Sequence, residues 1–292
     1  MIHFPVILGP DGRLLVQQRL THPAVYLDTW AHRHFAEDDP AAGDRFRTAL
    51  LRAGGTLVLS DLNLGDFAGF ADIRHVQAVG RFIDSLGPHL FFATFSPFPV
   101  IDREIAIMVR QTDQSPAGDA AMLQLYAEAA QMRNGKPSVQ EWFAAVHTDR
   151  ARLKPRLDGM AQAFLAGVKA LQQRFDAEPG FKNSARRDVE TSHRPRSTQA
   201  LLRAIVFRLQ GDRKLQLTTN DAIDVMHCVV PSAYCDFVLV DHSWCVRLSD
   251  AREWLDAAGI KSHSAEPFSR RDEGVTRFLE LLEAWPQQQS AA

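Results

Sequence analysis

Apolar positions recur along the chain with two different periods, which predict strands in some segments and helices in others. Short apolar runs at 24–27, 56–59 and 237–240 are followed at once by polar or acidic residues and predict buried strands. Segments such as 72–86 and 199–209 repeat apolar residues every three or four positions and predict amphipathic helices. The order of strands and helices indicates an α/β fold.

Two further local patterns extend this prediction toward the ends of the chain. Residues 4–18 alternate around a Pro-Asp-Gly turn sequence and predict a hairpin. In the C-terminal part, a short strand is expected at 246–248, followed by helices at 251–258 and 273–284.

The middle of the chain differs from both ends. From 102 to 200 the apolar spacing is helical, and no segment carries a strand signal. We therefore expect a core formed by 1–101 and 201–292, with 102–200 as a helical insertion or subdomain. This block is also a candidate surface for a protein partner or for a second copy of the chain.

Composition limits the class of protein. Hydrophobic residues make up 46% and charged residues 23% of the 292 positions, as in ordinary globular proteins. The net charge of −2 argues against a chain coated with positive charge, so a nucleic-acid contact would need a local basic face. No run of about 18 apolar residues predicts a membrane span, and the N-terminal apolar stretch is too short for a signal peptide.

Three cysteines, Cys228, Cys235 and Cys245, lie close together in the sequence without Cys-x-x-Cys spacing. They are expected to be buried free thiols, which persist in a reducing compartment. Together with the lack of a predicted membrane segment, these thiols indicate a cytoplasmic protein.

Acidic residues stand where open α/β sheets place their ligands. Asp221, Asp224 and His227 follow one another at spacings of three, so on a helix they fall along one stripe. Asp28 and Asp241 each come directly after a predicted strand. Carboxylates that are brought together repel one another, and a divalent cation with oxygen ligands relieves this repulsion. The pattern therefore predicts a metal site.

Three stretches resemble the motif regions of the PIN-like nucleases: VYLDTWAHRHFA, LVLSDLNLGDFAGF and NDAIDVMHCVVPSAYCDFVLVD. The family pattern has an Asp ending the first strand, an acid shortly after a Ser that ends the second strand, an Asp opening a later helix, and an Asp at the end of the next strand. It carries over to Asp28, to Asp66, to Asp221 or Asp224, and to Asp241. Asp66 stands where the family usually has Glu. The third stretch is similar to the branch with paired Asp, a His and Tyr-Cys-Asp.

The resemblance covers residues 22–90 and 215–250 and implies a PIN-like α/β core, with a central, mostly parallel sheet flanked by helices. It also implies a metal-dependent nuclease that hydrolyses phosphodiester bonds through a carboxylate cluster holding Mg²⁺ or Mn²⁺. RNA is the expected substrate in preference to DNA.

The resemblance also implies a role for each acid. Asp28 is expected to be the central metal ligand, with Asp221 and Asp241 completing the set. Asp66 and Asp224 belong to the same catalytic cluster and are expected to bind the metal directly or through water.

Other roles for these residues stay open at this point. His227 is expected to orient a carboxylate or a water behind the ligands, and Asp236 is a further candidate for such support or shapes a turn. Asp28 could instead cap a helix, and Asp221 could complement a helix dipole. Asp224 and His227 could form a hydrogen-bonded pair without metal.

Basic residues concentrate at 182–214 in an otherwise acidic chain. Within this segment Arg186, Arg187, Arg194 and Arg196 are candidates for binding nucleic acid through its phosphates. The alternative is that they form a solvated helix face.

Two other classes of function are alternatives to the nuclease. A phosphotransfer enzyme of the haloacid dehalogenase type needs Asp-x-Asp after the first strand, and here Trp30 occupies the second position after Asp28. A catalytically decayed PIN-like module would bind nucleic acid or protein without metal. Stabilisation by Mg²⁺ or Mn²⁺ discriminates this module from the nuclease.

Overall fold

The fold is that of a computed structural model, which describes residues 6–8, 14–16, 18–110, 118–119, 122–124, 126–128, 138–148, 150–178, 180, 183, 198–211, 218–260 and 262–286. Its strands are β1 (Val6–Leu8), β2 (Leu14–Val16), β3 (Ala24–Leu27), β4 (Thr56–Leu59), β5 (Leu90–Phe92), β6 (Phe237–Leu239) and β7 (Glu266–Phe268). The first two strands pair antiparallel, which confirms the predicted hairpin.

Helices follow most strands. They are α1 (Thr29–Arg33), α2 (Pro40–Ala53), α3 (Asp61–Ala68), α4 (Ile73–Asp84), α5 (Pro97–Arg110), α6 (Val139–Thr148), α7 (Arg150–Ala177), α8 (Thr198–Gly211), α9 (Thr219–Tyr234), α10 (His242–Ala257) and α11 (Gly274–Glu283). A π-helical turn, His34–Asp38, continues α1. Residues 122–124 and 126–128 are also helical.

The remaining five strands form one parallel sheet in the order β5-β4-β3-β6-β7. This arrangement confirms the α/β class and a parallel central sheet flanked by helices. Because β3 is the first strand of the sheet and β6 lies on its other side, the strand order reverses between β3 and β6. In open α/β sheets, the crevice at the carboxyl ends of the strands flanking such a reversal is where ligands bind.

Both faces of the sheet are buried. On β3, Tyr26 belongs to the core on one face, together with buried residues of α8, α9 and α10. Leu27 belongs to the core on the other face, together with buried residues of α2, α4 and α11. A parallel strand covered on both faces has no solvent side, so its sequence is a continuous apolar run.

Helices from the 102–200 segment pack directly on this core. Asp84, at the end of α4, accepts hydrogen bonds from Ser138 Oγ at 2.6 Å and from the backbone N–H of Val139 at 2.8 Å, and so holds the start of α6. Gly80 lets the two helices approach closely, because a Cβ there would lie 2.4 Å from the Cα of Gln140. The free energy of this packing therefore depends on a residue without a side chain.

The predicted strand at 246–248 is wrong, because these residues lie within α10. Buried Trp244, Leu248, Ala251 and Leu255 recur at helical spacing along it, whereas Val246 is 47% exposed. An alternating pattern over three residues is too short to distinguish the two periods, and the helical burial of the longer segment decides.

Among the described residues, no helix combines the length and the apolar character needed to cross a membrane. In the same part of the chain, Cys228 and Cys235 are buried free thiols and Cys245 is a partly buried one.

Candidate metal centre

Asp28 lies at the carboxyl end of the central strand β3. Its backbone N–H donates to the carbonyl oxygen of Leu239 on β6 at 2.8 Å, so the pairing of the two strands continues up to this residue. Its carboxylate Oδ1 accepts from the N–H of Thr29 at 2.7 Å and caps α1. The expectation of a helix cap is therefore correct, and capping leaves the second carboxylate oxygen available to a ligand.

Asp66 reaches the same place from the neighbouring strand. Ser60 ends β4 and forms a capping box with Asn63, which starts α3 in a fixed direction. Asp66 follows within α3, and its Oδ2 accepts from Thr29 Oγ1 at 2.6 Å. Thr29 thus donates to both acids, once from its backbone and once from its side chain, and holds the two carboxylates at the start of α1.

His227 approaches the acids from α9. Its Nε2 lies 3.3 Å from Oδ2 of Asp66, and its Nδ1 lies 2.7 Å from the phenolic oxygen of Tyr26. Asn63 Nδ2 donates to the same phenolic oxygen at 3.4 Å. The imidazole is buried, so these contacts fix both the position and the orientation of the ring.

These hydrogen bonds accommodate two tautomers of His227. If Tyr26 donates to Nδ1, then Nε2 carries the proton and points it toward Asp66. If Nδ1 donates to Tyr26, then Nε2 presents a lone pair toward the acids. The second tautomer is the one that binds a metal ion, and the partner on Nδ1 is the kind that supports metal-ligating histidines.

One potential ligand atom each from Asp28, Asp66 and His227 lies within 4.8 Å of the others. This group can hold a metal ion. The Nε2 of His227 is buried and makes no hydrogen bond with the part of the chain that the structure describes. Two carboxylates and an orphaned imidazole nitrogen are a donor set that fits a divalent cation.

The electrostatics of this place favour neutralisation. Burial raises the pKa of Asp28 well above its usual range, and the nearby carboxylate of Asp66 adds to the shift, followed by those of Asp241 and Asp224. Burial likewise lowers the pKa of His227, and Asp66 opposes that shift. Asp28 therefore resists ionisation, and a bound cation would remove this penalty.

Asp224 and Asp241 lie beside the three central residues. Burial raises the pKa of Asp224 to about 6, the indole N–H of Trp244 opposes this by donating to Oδ2 at 2.9 Å, and the carboxylates of Asp241, Asp66 and Asp221 add to it. Asp241 follows β6 and is exposed. At the N-cap position of α10, its side chain makes no capping hydrogen bond among the described residues. Neither acid belongs to the group of described residues whose ligand atoms converge, which corrects the expectation that Asp241 completes the ligand set; both act on the site through their charge.

Asp221 is held apart from the cluster, which corrects the expectation that it is a metal ligand. Its Oδ2 accepts from the hydroxyl of Thr218 at 2.7 Å and from the N–H of Thr218 at 2.8 Å in a capping box that starts α9. Its Oδ1 lies 3.8 Å from Nη1 of Arg247. Asp221 therefore stabilises the start of α9, which was the alternative to a role as metal ligand.

Asp236 lies at the amino end of β6, away from Asp241 at the carboxyl end, which corrects its expected role in supporting the ligands. Its Oδ2 accepts from the N–H of Ala24 at 2.7 Å and pairs with Nδ1 of His22 at 2.5 Å. Burial would raise the pKa of Asp236, but the hydrogen bonds from His22 and Ala24 outweigh burial and lower it. Asp236 therefore joins the amino ends of β3 and β6.

The sequence marked His227 as a supporting residue, whereas the structure places its Nε2 among the potential ligand atoms. The spacing of Asp221, Asp224 and His227 had indicated the site. The residue that reaches the acids of β3 and α3 is the last of the three, His227, and not the first, Asp221. His32, four residues after Asp28, is fully buried, so it is not available for contact with nucleic acid. The four predicted nucleic-acid-binding residues Arg186, Arg187, Arg194 and Arg196 lie outside the described residues.

The fold and site together define an α/β protein with a parallel sheet and a carboxylate–imidazole cluster at its strand reversal. Comparisons with protein-family models, with curated proteins and with solved structures found no match to the chain.

Proposed function

We propose that this chain is a metal-dependent nuclease that hydrolyses phosphodiester bonds in RNA, with Asp28, Asp66 and His227 as its metal ligands. The observation that carries the proposal is the convergence of these three side chains, with ligand atoms within 4.8 Å of one another. The position of the cluster, at the carboxyl edge where the strand order reverses, supports a ligand site. The resemblance of the three motif stretches to PIN-like nucleases supplies the reaction.

Mg²⁺ and Mn²⁺ are the proposed cofactors, since carboxylate oxygens suit both ions. Mn²⁺ accepts a nitrogen ligand more readily than Mg²⁺ does. When bound, such an ion polarises the phosphate and lowers the pKa of a coordinated water. The need for it follows from charge. A phosphodiester is an anion, and the acids at this edge would repel it unless a cation lay between them.

The residues of the chain divide the remaining tasks. Asp28 after β3, Asp66 on α3 and His227 on α9 would together hold the cation. In the tautomer that binds a metal, Nδ1 of His227 donates to Tyr26, so that Nε2 would be open to the ion. Asp241 is exposed and has no capping bond within the described part of the chain. In this proposal it accepts a proton from the attacking water.

The test is cleavage of 5′-labelled single-stranded RNA by the purified chain in Mn²⁺, in Mg²⁺ and in EDTA. We expect cleavage with either ion and none in EDTA. Asp28→Asn and Asp66→Asn should each lower the rate by about 100-fold or more, because they remove ligands whose supporting neighbours alone are worth 10–100-fold. Asp44→Asn is the matched control, since that side chain is 75% exposed on α2.

Metal binding is measured in parallel by thermal unfolding. A ligand at about 100 times its dissociation constant stabilises the folded state by about 2.7 kcal/mol, so Mn²⁺ should raise the melting temperature of the wild type and of Asp44→Asn only. Wild-type cleavage in both ligand variants, or cleavage that persists in EDTA, overturns the proposal. RNA binding without metal stabilisation or cleavage would instead identify a decayed module.

A further inference from the structure

A cation–aromatic pair lies at the same edge of the sheet as the acids. Trp30 follows two residues after Asp28, and Arg270 follows β7, the second strand along from β3. The guanidinium carbon of Arg270 lies 5.3 Å from the centroid of the Trp30 ring. The Arg270 side chain remains 61% exposed. The guanidinium therefore lies against the Trp30 ring and is still largely open to solvent.

Arg270 is also held in its plane by an acid. Its Nη2 donates to Oδ2 of Asp38, at the end of the π-helical turn, at 3.2 Å. A guanidinium that is already ordered loses less conformational entropy when a ligand binds to it. Trp30 and Asp38 thus hold Arg270 ready for a planar ligand on its open face.

The loop that presents Arg270 has a constrained backbone. Asp272 and Glu273 have φ of 55° and 57°, two consecutive left-handed residues that are not glycine. Such a conformation costs about 1–2 kcal/mol for each residue with a Cβ. At Gly274 a Cβ would lie 2.2 Å from the carbonyl oxygen of Ser269, so the turn is also too tight for a side chain there. Strain of this kind is found at ligand-binding loops, where it fixes the residues that make contact.

The same loop supplies a second cation next to the acids. Arg271 is exposed and forms no ion pair within the described part of the chain. Ser269 Oγ lies 3.4 Å from Nδ1 of His242, the residue after Asp241. The loop is therefore fastened to the residue that follows Asp241, and it carries positive charge at the same edge of the sheet as the acids.

We propose that Trp30, Arg270 and Arg271 form a subsite for single-stranded nucleic acid next to the cleaved phosphate. An unpaired base stacks on the open face of Arg270, which Trp30 supports from behind, and Arg271 pairs with a backbone phosphate. A base inside a duplex is already covered on both faces, so it cannot stack there. The inference rests on the proposed function for the cleaved bond and adds the substrate class and the residues that bind it.

The test measures binding in EDTA, where the proposed reaction is off. Fluorescence anisotropy is recorded with one labelled 12-nucleotide sequence as single-stranded RNA, as single-stranded DNA and as a duplex. We expect Arg270→Ala and Trp30→Leu to weaken single-strand binding by about 10-fold, the size of one base-stacking contact. Arg270→Lys keeps the charge without the plane and should bind as weakly as Arg270→Ala.

Two measurements complete the design. In Arg271→Ala the fall of log affinity with log salt should be less steep by about 0.7, the value for one phosphate contact on a single strand. Arg277→Ala is the matched control, because Arg277 also pairs with an acid, Glu266, and lies 6.0 Å from an aromatic ring, that of Phe268. Arg277 is on α11 and does not belong to the loop that carries Arg270, so binding should change less than 2-fold. Melting temperatures verify that each variant is folded.

Wild-type affinity in Arg270→Ala and Trp30→Leu, full rescue by Arg270→Lys, or duplex binding as tight as single-strand binding overturns the inference. Preference for RNA or for DNA identifies which single strand the subsite takes, and either result supports it. Its failure is separable from that of the nuclease proposal. RNA cleavage by the wild type with unchanged binding in Arg270→Ala removes the subsite alone, whereas Arg270-dependent binding without cleavage in Mn²⁺ removes the nuclease alone.

Discussion

The phenolic oxygen of Tyr26 lies 2.7 Å from Nδ1 of His227, although the two residues are 201 positions apart in the chain. This contact joins the central strand to α9 inside the core. Asn63 of α3 reaches the same oxygen, so all three elements that carry the proposed metal ligands meet at one hydroxyl. The orientation of His227 is therefore set by groups that do not themselves face the acids.

Removing this hydroxyl should weaken metal binding while leaving the ligands in place. For Tyr26→Phe we expect Mn²⁺ affinity to fall by about 10–100-fold, because Nδ1 of His227 loses its partner. The unpaired nitrogen should also cost about 1–3 kcal/mol of stability. Both are measured, by calorimetric titration with Mn²⁺ and by urea unfolding.

The control for this change is Tyr234→Phe. Its hydroxyl is also buried and donates to Glu104 at 2.8 Å, but it is not part of the metal cluster. Its loss should lower stability and leave Mn²⁺ affinity unchanged. Equal Mn²⁺ affinities for Tyr26→Phe and the wild type would show that Tyr26 does not support a metal ligand.

Asp221 distinguishes a helix cap from a metal ligand. Asp221→Ala removes the acceptor of the capping box and should cost about 1 kcal/mol of stability. Asp221→Asn retains an acceptor oxygen and should cost less. Mn²⁺ affinity, from the same titration, should stay within about 3-fold of the wild type in both variants. A fall of 100-fold in Asp221→Asn would return this residue to the ligand set.

His32 predicts a dependence of stability on acid pH. It is buried beside Phe67, with ring centroids 5.2 Å apart, and burial lowers its pKa from 6.5 to about 3. Between these values the unfolded chain takes up a proton that the folded chain does not. Protonation therefore favours unfolding, and its contribution reduces stability as the pH falls from about 6.5 toward 3.

The variant His32→Leu removes this proton uptake. The free energy of unfolding of His32→Leu minus that of the wild type should increase by about 1.4 kcal/mol for each pH unit below 6.5. Urea unfolding between pH 4.5 and 8 measures the difference, which should be constant above pH 7. Parallel curves for the two proteins across the whole range would mean that the pKa of His32 is the same in the folded and the unfolded chain.

Gly80 tests whether α6 packs on the core as closely as the structure places it. In Gly80→Ala the new Cβ meets the backbone of Gln140, so the two helices must separate, at a cost of about 1–3 kcal/mol. Gly159→Ala, in α7, has nothing within 4 Å of the new atom and should stabilise the chain by about 0.5–1 kcal/mol through helix propensity. Thermal unfolding of both variants compares the signs, and a stabilising Gly80→Ala would contradict this packing.

Sequence patterns predicted the elements whose signal is local and repeated. The apolar runs at 24–27, 56–59 and 237–240 correspond to β3, β4 and β6, and the acids after the first and last are at the carboxyl edge. A buried strand needs apolar residues on both faces, and the chain must turn polar where it leaves the sheet. These requirements act on neighbouring residues, so they can be recognised in the amino-acid sequence.

The partners of the polar groups were decided by tertiary structure alone. Asp221 and His227 are six residues apart on α9, and one carboxylate turns to Thr218 while the imidazole turns to Tyr26 and Asp66. Helical spacing places side chains on a face but does not say which neighbouring element covers each turn of it. Asp236 is similar, because only the pairing of β6 with β3 decides which end of the sheet it occupies.

The sequence by itself therefore determined an α/β chain with acids at the ends of its strands. The tertiary structure decided which of those acids share a site, and it exchanged Asp221 for His227 beside Asp28 and Asp66. The physical reason is that burial and hydrogen bonding act between residues far apart in the chain. Periodicity records only what each residue requires of its near neighbours along its own helix or strand.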